Sequence, residues 1–479
     1  MSSLTGFLFL IGSIWAIPKG VTQTPYKEAK QMAYAMLTEL LDQPRMPAGI
    51  SVAVGRNNEI IYAEGIGFSN LETGKRISPQ TQFRAASVSK MMTVTALAKL
   101  LESNQLDLDA HIQTYVPSFP QKAYPITARQ LSGHLSGIPH YTNVDKIENR
   151  FYQSVTEALN VFSHHLLLHE PGTSYRYSTH GYTLLSAVLE GASGKPFLQL
   201  LNQSVLEPLK MSATGPDLRS SPSPNMTELY RWDEEGFLIQ AKKIGHIEDP
   251  SYKWGAGGMV STPSNLVKMG NGYLYGFIEK GIKEEMFTSQ KTDSQKMTGV
   301  GIGWRQGYDA AGRLVYEHAG GMPGARSVIT IFPENNLTIA LMANAGSPPR
   351  VEETAHVIAS LFLTDFSVSV PIVGSAKGKL RHKAPDGKDV TEDAVLILNG
   401  DSDRLVVYSK TNEPTIYPLF YLHSTNTYAL VHPYGLLFAI LEQKDSEIGL
   451  SVLNYRSPRF TPPAQDDPFL SFSGIFEGK

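Results

Sequence analysis

The chain has 479 residues, 42% hydrophobic and 18% charged, an ordinary globular composition that excludes a long disordered polar tract. Its 42 Lys and Arg against 45 Asp and Glu leave a net charge of -3, so electrostatics give no reason to expect nucleic acid or an anionic membrane as partner. The absence of cysteine excludes disulfides, thiol nucleophiles and cysteine-based zinc sites, and any nucleophilic catalysis must use an oxygen.

One hydrophobic core rarely serves a chain this long, and two domains are expected. The apolar run Leu4–Ile17, closed by Pro18 and Lys19, is shorter than the about 20 residues of a membrane span and suits a signal peptide over residues 1–17, with Ala16 before a cleavage point. No Lys or Arg precedes it, so a short N-terminal anchor is the alternative. The expected location is secreted or periplasmic. No later run is long and apolar enough to span a bilayer.

Ala29–Leu41 carries helix-period apolar residues. Gly49–Val54 alternates through Ile50, Val52 and Val54 as a strand, and Ile60–Ile66 forms a second after a turn at Asn57-Asn58. From Ser87 to Leu274 helical patterns alternate with loops, for example at Ser136-Gly137-Ile138-Pro139 and Gly255-Ala256-Gly257-Gly258. Strands return at Arg313–Glu317, Ser327–Phe332 and Leu337–Met342, the last two joined by the turn Pro333-Glu334-Asn335-Asn336, and a helix over Val351–Leu363 closes the unit. This order predicts an α/β (α+β) domain over residues 27–364, in which both ends build one antiparallel sheet around a helical insert. Residues 365–479 change to short alternating runs, Ala394–Leu398, Leu405–Tyr408, Tyr428–Val431, Leu436–Leu441 and Leu450–Tyr455, which predict a small all-β domain. Its aromatics Tyr417, Phe420, Tyr421 and Phe438 read as core, with a ligand groove as the alternative.

Ser87-Val88-Ser89-Lys90 is the one Ser-x-x-Lys in the chain, and it opens a helix. The i, i+3 spacing puts both side chains on one face. That helix bears no charge from Met91 to Ala98, so it is expected to be buried, with Lys90 largely desolvated and its ammonium form disfavoured. A serine hydroxyl needs a base, and a lysine with a lowered pKa supplies one. A serine at a helix start also has its backbone N–H available to an oxyanion. His165 and His169 stand i, i+4 on an expected helix, a zinc-compatible spacing, but no His-Glu-x-x-His accompanies them.

Two further segments, Glu170-Pro171-Gly172-Thr173-Ser174-Tyr175-Arg176-Tyr177-Ser178-Thr179 and Tyr316-Glu317-His318-Ala319-Gly320-Gly321, resemble the second and third motifs of class C β-lactamase-like and penicillin-binding proteins. His134-Leu135-Ser136-Gly137-Ile138-Pro139 and Gly257-Gly258-Met259-Val260-Ser261-Thr262-Pro263 add to the match, which runs from about Ala48 to Leu363. The resemblance implies the β-lactamase/transpeptidase-like fold, an antiparallel sheet flanked by helices with a helical subdomain. It implies Ser87 as acylated nucleophile, Lys90 as general base, Tyr177 as second proton relay and His318 as a catalytic group on the sheet edge. The backbone amides of Ser87 and Gly321 become the oxyanion hole, and Thr179, Ala319 and Gly320 the substrate-lining positions. For Tyr177 to act as a base at neutral pH, a cation such as Lys90 must lower a phenol pKa that is ordinarily near 10.

The chain departs from the family pattern at two points. Tyr177-Ser178-Thr179 replaces Tyr-x-Asn, losing a bridging amide, and His318-Ala319-Gly320 replaces Lys-Thr-Gly, losing a fixed cation and a hydroxyl. The tyrosine variant is similar to mitochondrial β-lactamase-like serine proteases and some bacterial esterases. The expected function is therefore acyl-enzyme hydrolysis of a small-molecule or peptide ester or amide, without metal or organic cofactor. A catalytically vestigial binding or assembly protein is one alternative, and a β-lactamase or D-alanyl-D-alanine carboxypeptidase another.

Overall fold

The computed structural model describes residues 26–478 apart from 245–248, 347–348, 364–371, 384–387, 401, 409–412, 423–424, 426 and 454–469. The leader expected over residues 1–17 lies outside the described residues. Helix α1 (Lys27–Leu41) buries Ala29, Ala33, Met36, Leu37 and Leu40, the apolar stripe its spacing demands. Strands β1 (Gly49–Arg56) and β2 (Glu59–Asn70) follow, joined by Asn57 and Asn58, which both adopt positive φ, and β3 (Lys75–Arg76) covers the edge of β2.

The helical insert contributes α2 (Ser89–Glu102), α3 (Thr179–Ser193), the single turn α4 (Trp254–Gly257) and α5 (Pro263–Leu274). Every residue of α2 from Ser89 to Ala98 is buried, as its uncharged surface requires. Strands β4 (Arg305–Tyr308), β5 (Leu314–Met322), β6 (Ala325–Phe332) and β7 (Leu337–Ala343) complete a seven-stranded sheet of order β3-β2-β1-β7-β6-β5-β4. Its centre is the antiparallel pairing of β1 with β7, Ile50 opposite Ala343 and Arg56 opposite Leu337, so the first and last strands of the unit are neighbours. Helix α6 (Val351–Ser360) packs behind β6 and β7.

Three local expectations are corrected. Gly255–Gly258 is not a loop, because Trp254–Gly257 makes a helical turn. An added Cβ at Gly255 would stand 1.9 Å from Ser186 Oγ, so glycine serves close approach to α3 here rather than a break. The strand expected over Arg313–Glu317 continues to Met322. The segment holding His165 and His169 is not helical, so their i, i+4 spacing creates no shared face.

The C-terminal domain is a closed all-β barrel of eight antiparallel strands. They are β8 (Gly374–Lys383), β9 (Asp389–Leu398), β10 (Arg404–Tyr408), β11 (Thr415–Leu422), β12 (Thr427–His432), β13 (Gly435–Lys444), β14 (Glu447–Val452) and β15 (Leu470–Gly478). The run expected over Leu450–Tyr455 thus begins earlier, at Glu447, and Tyr455 lies outside the described residues. Closure removes every sheet edge, and Leu396, Leu405, Leu430, Leu437, Leu450 and Phe472 fill the interior. Tyr417 and Tyr421 pack against that core, whereas Phe420 and Phe438 join Val431 and Leu436 on the face that shares a core with α1 and α6. No helix among the described residues is long and apolar enough to cross a membrane.

Candidate active site

The chain enters the site along the short strand Phe83–Arg84, fixed by Ala85 N–H donating to Met259 O at 2.8 Å and by Ser327 Oγ donating to Ala85 O at 2.6 Å. Ala86 then adopts φ 46°, a left-handed conformation that a residue with Cβ holds only when its surroundings enforce it. One 3₁₀ turn, Ala86–Val88, carries Ser87 into α2. Strand β5 lies directly against this turn at Gly320, where a Cβ would stand 2.6 Å from Ala85 O and 2.9 Å from Ser87 N. Only glycine lets the strand approach the turn that carries Ser87 so closely.

On the opposite wall, Ser178 caps α3: its Oγ accepts from Gly181 N–H and donates to Pro139 O, both at 2.8 Å. The cap sets Tyr177 just outside the helix, where its hydroxyl donates to Ser87 Oγ at 2.9 Å. Lys90 Nζ reaches the same oxygen at 3.3 Å, and also Thr179 Oγ1 at 3.3 Å and Ala256 O at 2.5 Å. Lysine, phenol and hydroxyl therefore converge on one atom. Thr179 is a partner of Lys90, and Ala256 is a partner that no motif signalled.

Burial lowers Lys90 from its ordinary range to about 7, with the charges of Lys253 and Arg305 adding to the effect and Tyr141 opposing it. Tyr177 moves the other way: burial raises its pKa above 10, only partly offset by Arg305 and by its hydrogen bonds with Ser87 and Thr179. That direction leaves Tyr177 a protonated donor at neutral pH, and the amine is the group whose pKa suits proton abstraction.

His318 is fully buried, with Nδ1 2.8 Å from Ala319 O and its ring centre 6.3 Å from that of Tyr177. A carbonyl only accepts, so Nδ1 carries the proton and Nε2, which has no hydrogen-bond partner among the described residues, is an acceptor. Burial holds its pKa well below 6.5, so His318 does not replace the fixed cation of the family motif. The Ala319 side chain, partly buried, packs against the core behind the sheet. Gly321 lies one residue beyond Gly320 at an exposed position opposite Arg326.

His134 and His140 were not legible as partners of Tyr177. Their ring centres lie 4.4 and 5.3 Å from its own, and their Nδ1 atoms accept from the amides of Ser178 and Thr179 at 3.2 and 3.1 Å. Both rings are thereby fixed as neutral acceptors at Nδ1, and burial depresses both pKa values, that of His140 to about 4. Arg305 completes the setting with its guanidinium 5.7 Å from the Tyr177 ring centre. His165 pairs with Asp145, and His169 turns to Glu170 O. No group of three metal-ligating side chains occurs among the described residues.

A seven-stranded sheet, a buried helix behind its edge and a Ser-x-x-Lys turn facing a tyrosine together define the β-lactamase/transpeptidase-like class of fold. The beta-lactamase family model matches residues 35–362, and the chain belongs to that family. It is similar to the human mitochondrial serine beta-lactamase-like protein LACTB, 28% identical over 420 residues covering 68% of this chain and 75% of that protein. Among solved structures, the octameric penicillin-binding protein homologue from Pyrococcus abyssi superposes with TM-score 0.59 at 22% identity, over 89% of this chain and 99% of the other. D-amino acid amidase from Ochrobactrum anthropi SV3 superposes with TM-score 0.60 at 21% identity, over 70% and 99%.

Proposed function

We propose that the chain is a serine hydrolase that cleaves an ester or amide through a covalent acyl-enzyme on Ser87. The observation that carries this reading is the convergence of Lys90 Nζ and the Tyr177 hydroxyl on Ser87 Oγ, at 3.3 and 2.9 Å. Neutral Lys90 takes the Ser87 proton as Oγ bonds to the substrate carbonyl carbon. The amides of Ser87 and Gly321 stabilise the resulting oxyanion. As the tetrahedral intermediate collapses, Tyr177 protonates the departing oxygen or nitrogen, and the proton held by Lys90 replaces the one Tyr177 gave. Water then attacks the ester, giving its proton back through the same pair and releasing the acid and Ser87.

Esters and simple amides are preferred over β-lactams as substrates because neutral His318 and Ala319 offer neither the cation nor the hydroxyl of the Lys-Thr-Gly motif. The relationship to a D-amino acid amidase fold keeps amides of D-amino acids within the candidate class. The N-terminal run Leu4–Ile17 supports an exported or anchored protein. The test is a panel of aryl esters, D- and L-amino-acid amides and a chromogenic cephalosporin, each run beside Ser87→Ala. Turnover of at least one ester or amide, lost by more than about a thousandfold in the variant, is expected. Turnover of none would favour a binding role, and cephalosporin turnover alone would restore the β-lactamase reading.

A further inference from the structure

We propose that Glu317 and His356 are positioning residues for the reaction at Ser87: their contact pins strand β5, where it becomes a wall of the cleft, to helix α6 and through it to the barrel. The proposal rests on the reading of Ser87 as acylated nucleophile and Gly321 as oxyanion donor, and adds what holds that donor in place. Successive side chains of a strand point to opposite faces. His318 turns toward Tyr177, and Glu317 turns the other way, to the helix packed behind the sheet. There its Oε2 accepts from His356 Nε2 at 2.9 Å and from Thr330 Oγ1 at 3.1 Å, and all three side chains are buried. Oε1 has no hydrogen-bond partner among the described residues, so Oε2 carries the attachment. Burial works to lower the His356 pKa, but the charge and hydrogen bond of Glu317, with Asp309 and Glu353 adding to them, raise it above 6.5 and favour the imidazolium. A buried charge pair tolerates little displacement, since moving either partner leaves the other uncompensated.

The place of this attachment along the strand gives it leverage. Strand β5 is flanked on both sides only as far as Glu317: β4 pairs with Leu314 to Glu317, whereas His318 to Met322 pair with β6 alone. The stretch held on one side is the one that approaches Ser87, with Gly320 so close that an added Cβ would stand 2.9 Å from Ser87 N. A misplacement of about 1 Å at a reacting centre costs on the order of a hundredfold in rate, so the last doubly flanked residue is where a side-chain tether has most effect. His356 passes the constraint on. Two residues earlier in α6, a spacing that puts the side chains on different faces, Thr354 Oγ1 accepts from Leu436 N–H of the barrel, and Arg350 N–H, just before the helix, donates to Tyr434 O. The C-terminal domain thereby takes part in the chemistry: docked, it holds the helix that holds the strand.

The test replaces the pair by apolar groups. Glu317→Leu combined with His356→Leu leaves no buried charge uncompensated and is expected to fold, whereas His356→Gln keeps an N–H donor for Oε2. Two readouts are compared: hydrogen exchange of the peptide spanning residues 318–322, followed by mass spectrometry, and steady-state hydrolysis of 4-nitrophenyl acetate. In the double variant exchange of that peptide is expected to accelerate by at least about tenfold. Its kcat is expected to fall by about tenfold or more, with KM within about twofold of the parent value. His356→Gln keeps both readouts close to those of the unmodified protein. A merely structural role changes thermal stability and leaves kcat of the folded protein intact. Unaltered exchange, or accelerated exchange with unaltered kcat, overturns the proposal. Should the double variant fail to fold, Glu317→Gln, which keeps the shape and removes the charge, is read by the same criteria. If the unmodified protein does not turn over the ester, the reading of Ser87 fails separately, and exchange alone decides whether the pair holds β5: acceleration supports the tether and unaltered exchange refutes it.

Discussion

Ser87 is surrounded by groups whose protonation states are set by burial more than by one another. Burial lowers Lys90 to about 7 and raises Tyr177 above 10, directions that suit the separate roles of base and acid proposed for them. The sign of the pH dependence follows directly. Below pH 7 the ammonium cannot accept a proton, so kcat/KM falls about tenfold per pH unit; above it the amine persists, and no descending limb from Tyr177 appears below pH 10. A pH–rate profile for any ester substrate checks this, and a rate that declines between pH 7 and 9 would contradict it. Tyr177→Phe removes the donor and keeps the ring packed among His134, His140 and Lys90, so stability is retained while kcat falls by about a hundredfold or more. The loss is expected to be steepest for substrates with poor leaving groups, as a rate series against leaving-group pKa would record. At this scale the sequence pointed to the atoms that the structure brings together. Ser-x-x-Lys and Tyr-Ser-Thr identify the converging groups, but the direction of the Tyr177 shift depends on the rings of His134, His140 and His318 that bury it, and these come from separate elements.

The elements hold those atoms through caps and close approaches. Ser178 links the loop at Pro139 to the first turn of α3, with Tyr177 and Thr179 on either side. Ser178→Ala is predicted to cost about 1–2 kcal/mol and to lower kcat more than KM, because it loosens both the Tyr177 hydroxyl and the Lys90 partner Thr179. Thermal denaturation and steady-state kinetics measure the two effects, and a stability loss with unchanged kcat would show that the cap does not position the site. Regular alternation made β1, β2, β6 and β7 readable. Strand β8 was not, because Lys377, Lys379 and Arg381 point outward and only Ala376 and Leu380 are buried, so no apolar run marks it. The turn at Trp254–Gly257 was hidden for the opposite reason, since glycines demanded by tertiary contact look in sequence like glycines demanded by a loop.

In the whole molecule the barrel is joined to the seven-stranded sheet by α6. Arg350 N–H donates to Tyr434 O at 2.6 Å, Leu436 N–H donates to Thr354 Oγ1 at 3.2 Å, and Gly435, at φ 139°, sits where a Cβ would come within 2.7 Å of Thr354 Oγ1. Gly435→Ala is predicted to weaken this junction by about 1–3 kcal/mol. In calorimetry the barrel then unfolds ahead of the sheet, while ester hydrolysis below that transition is unaltered. A single transition at the original temperature would mean that the junction contributes little.

Every later step of the proposed reaction depends on acylation of Ser87 Oγ. Its most direct measurement is intact-mass and peptide mapping after exposure to a fluorophosphonate. One adduct per chain is expected, carried by the peptide containing Ser87, absent in Ser87→Ala and formed at least about a hundredfold more slowly in Lys90→Ala. An unlabelled protein, an adduct mapped to another residue, or equal labelling of Ser87→Ala would contradict it.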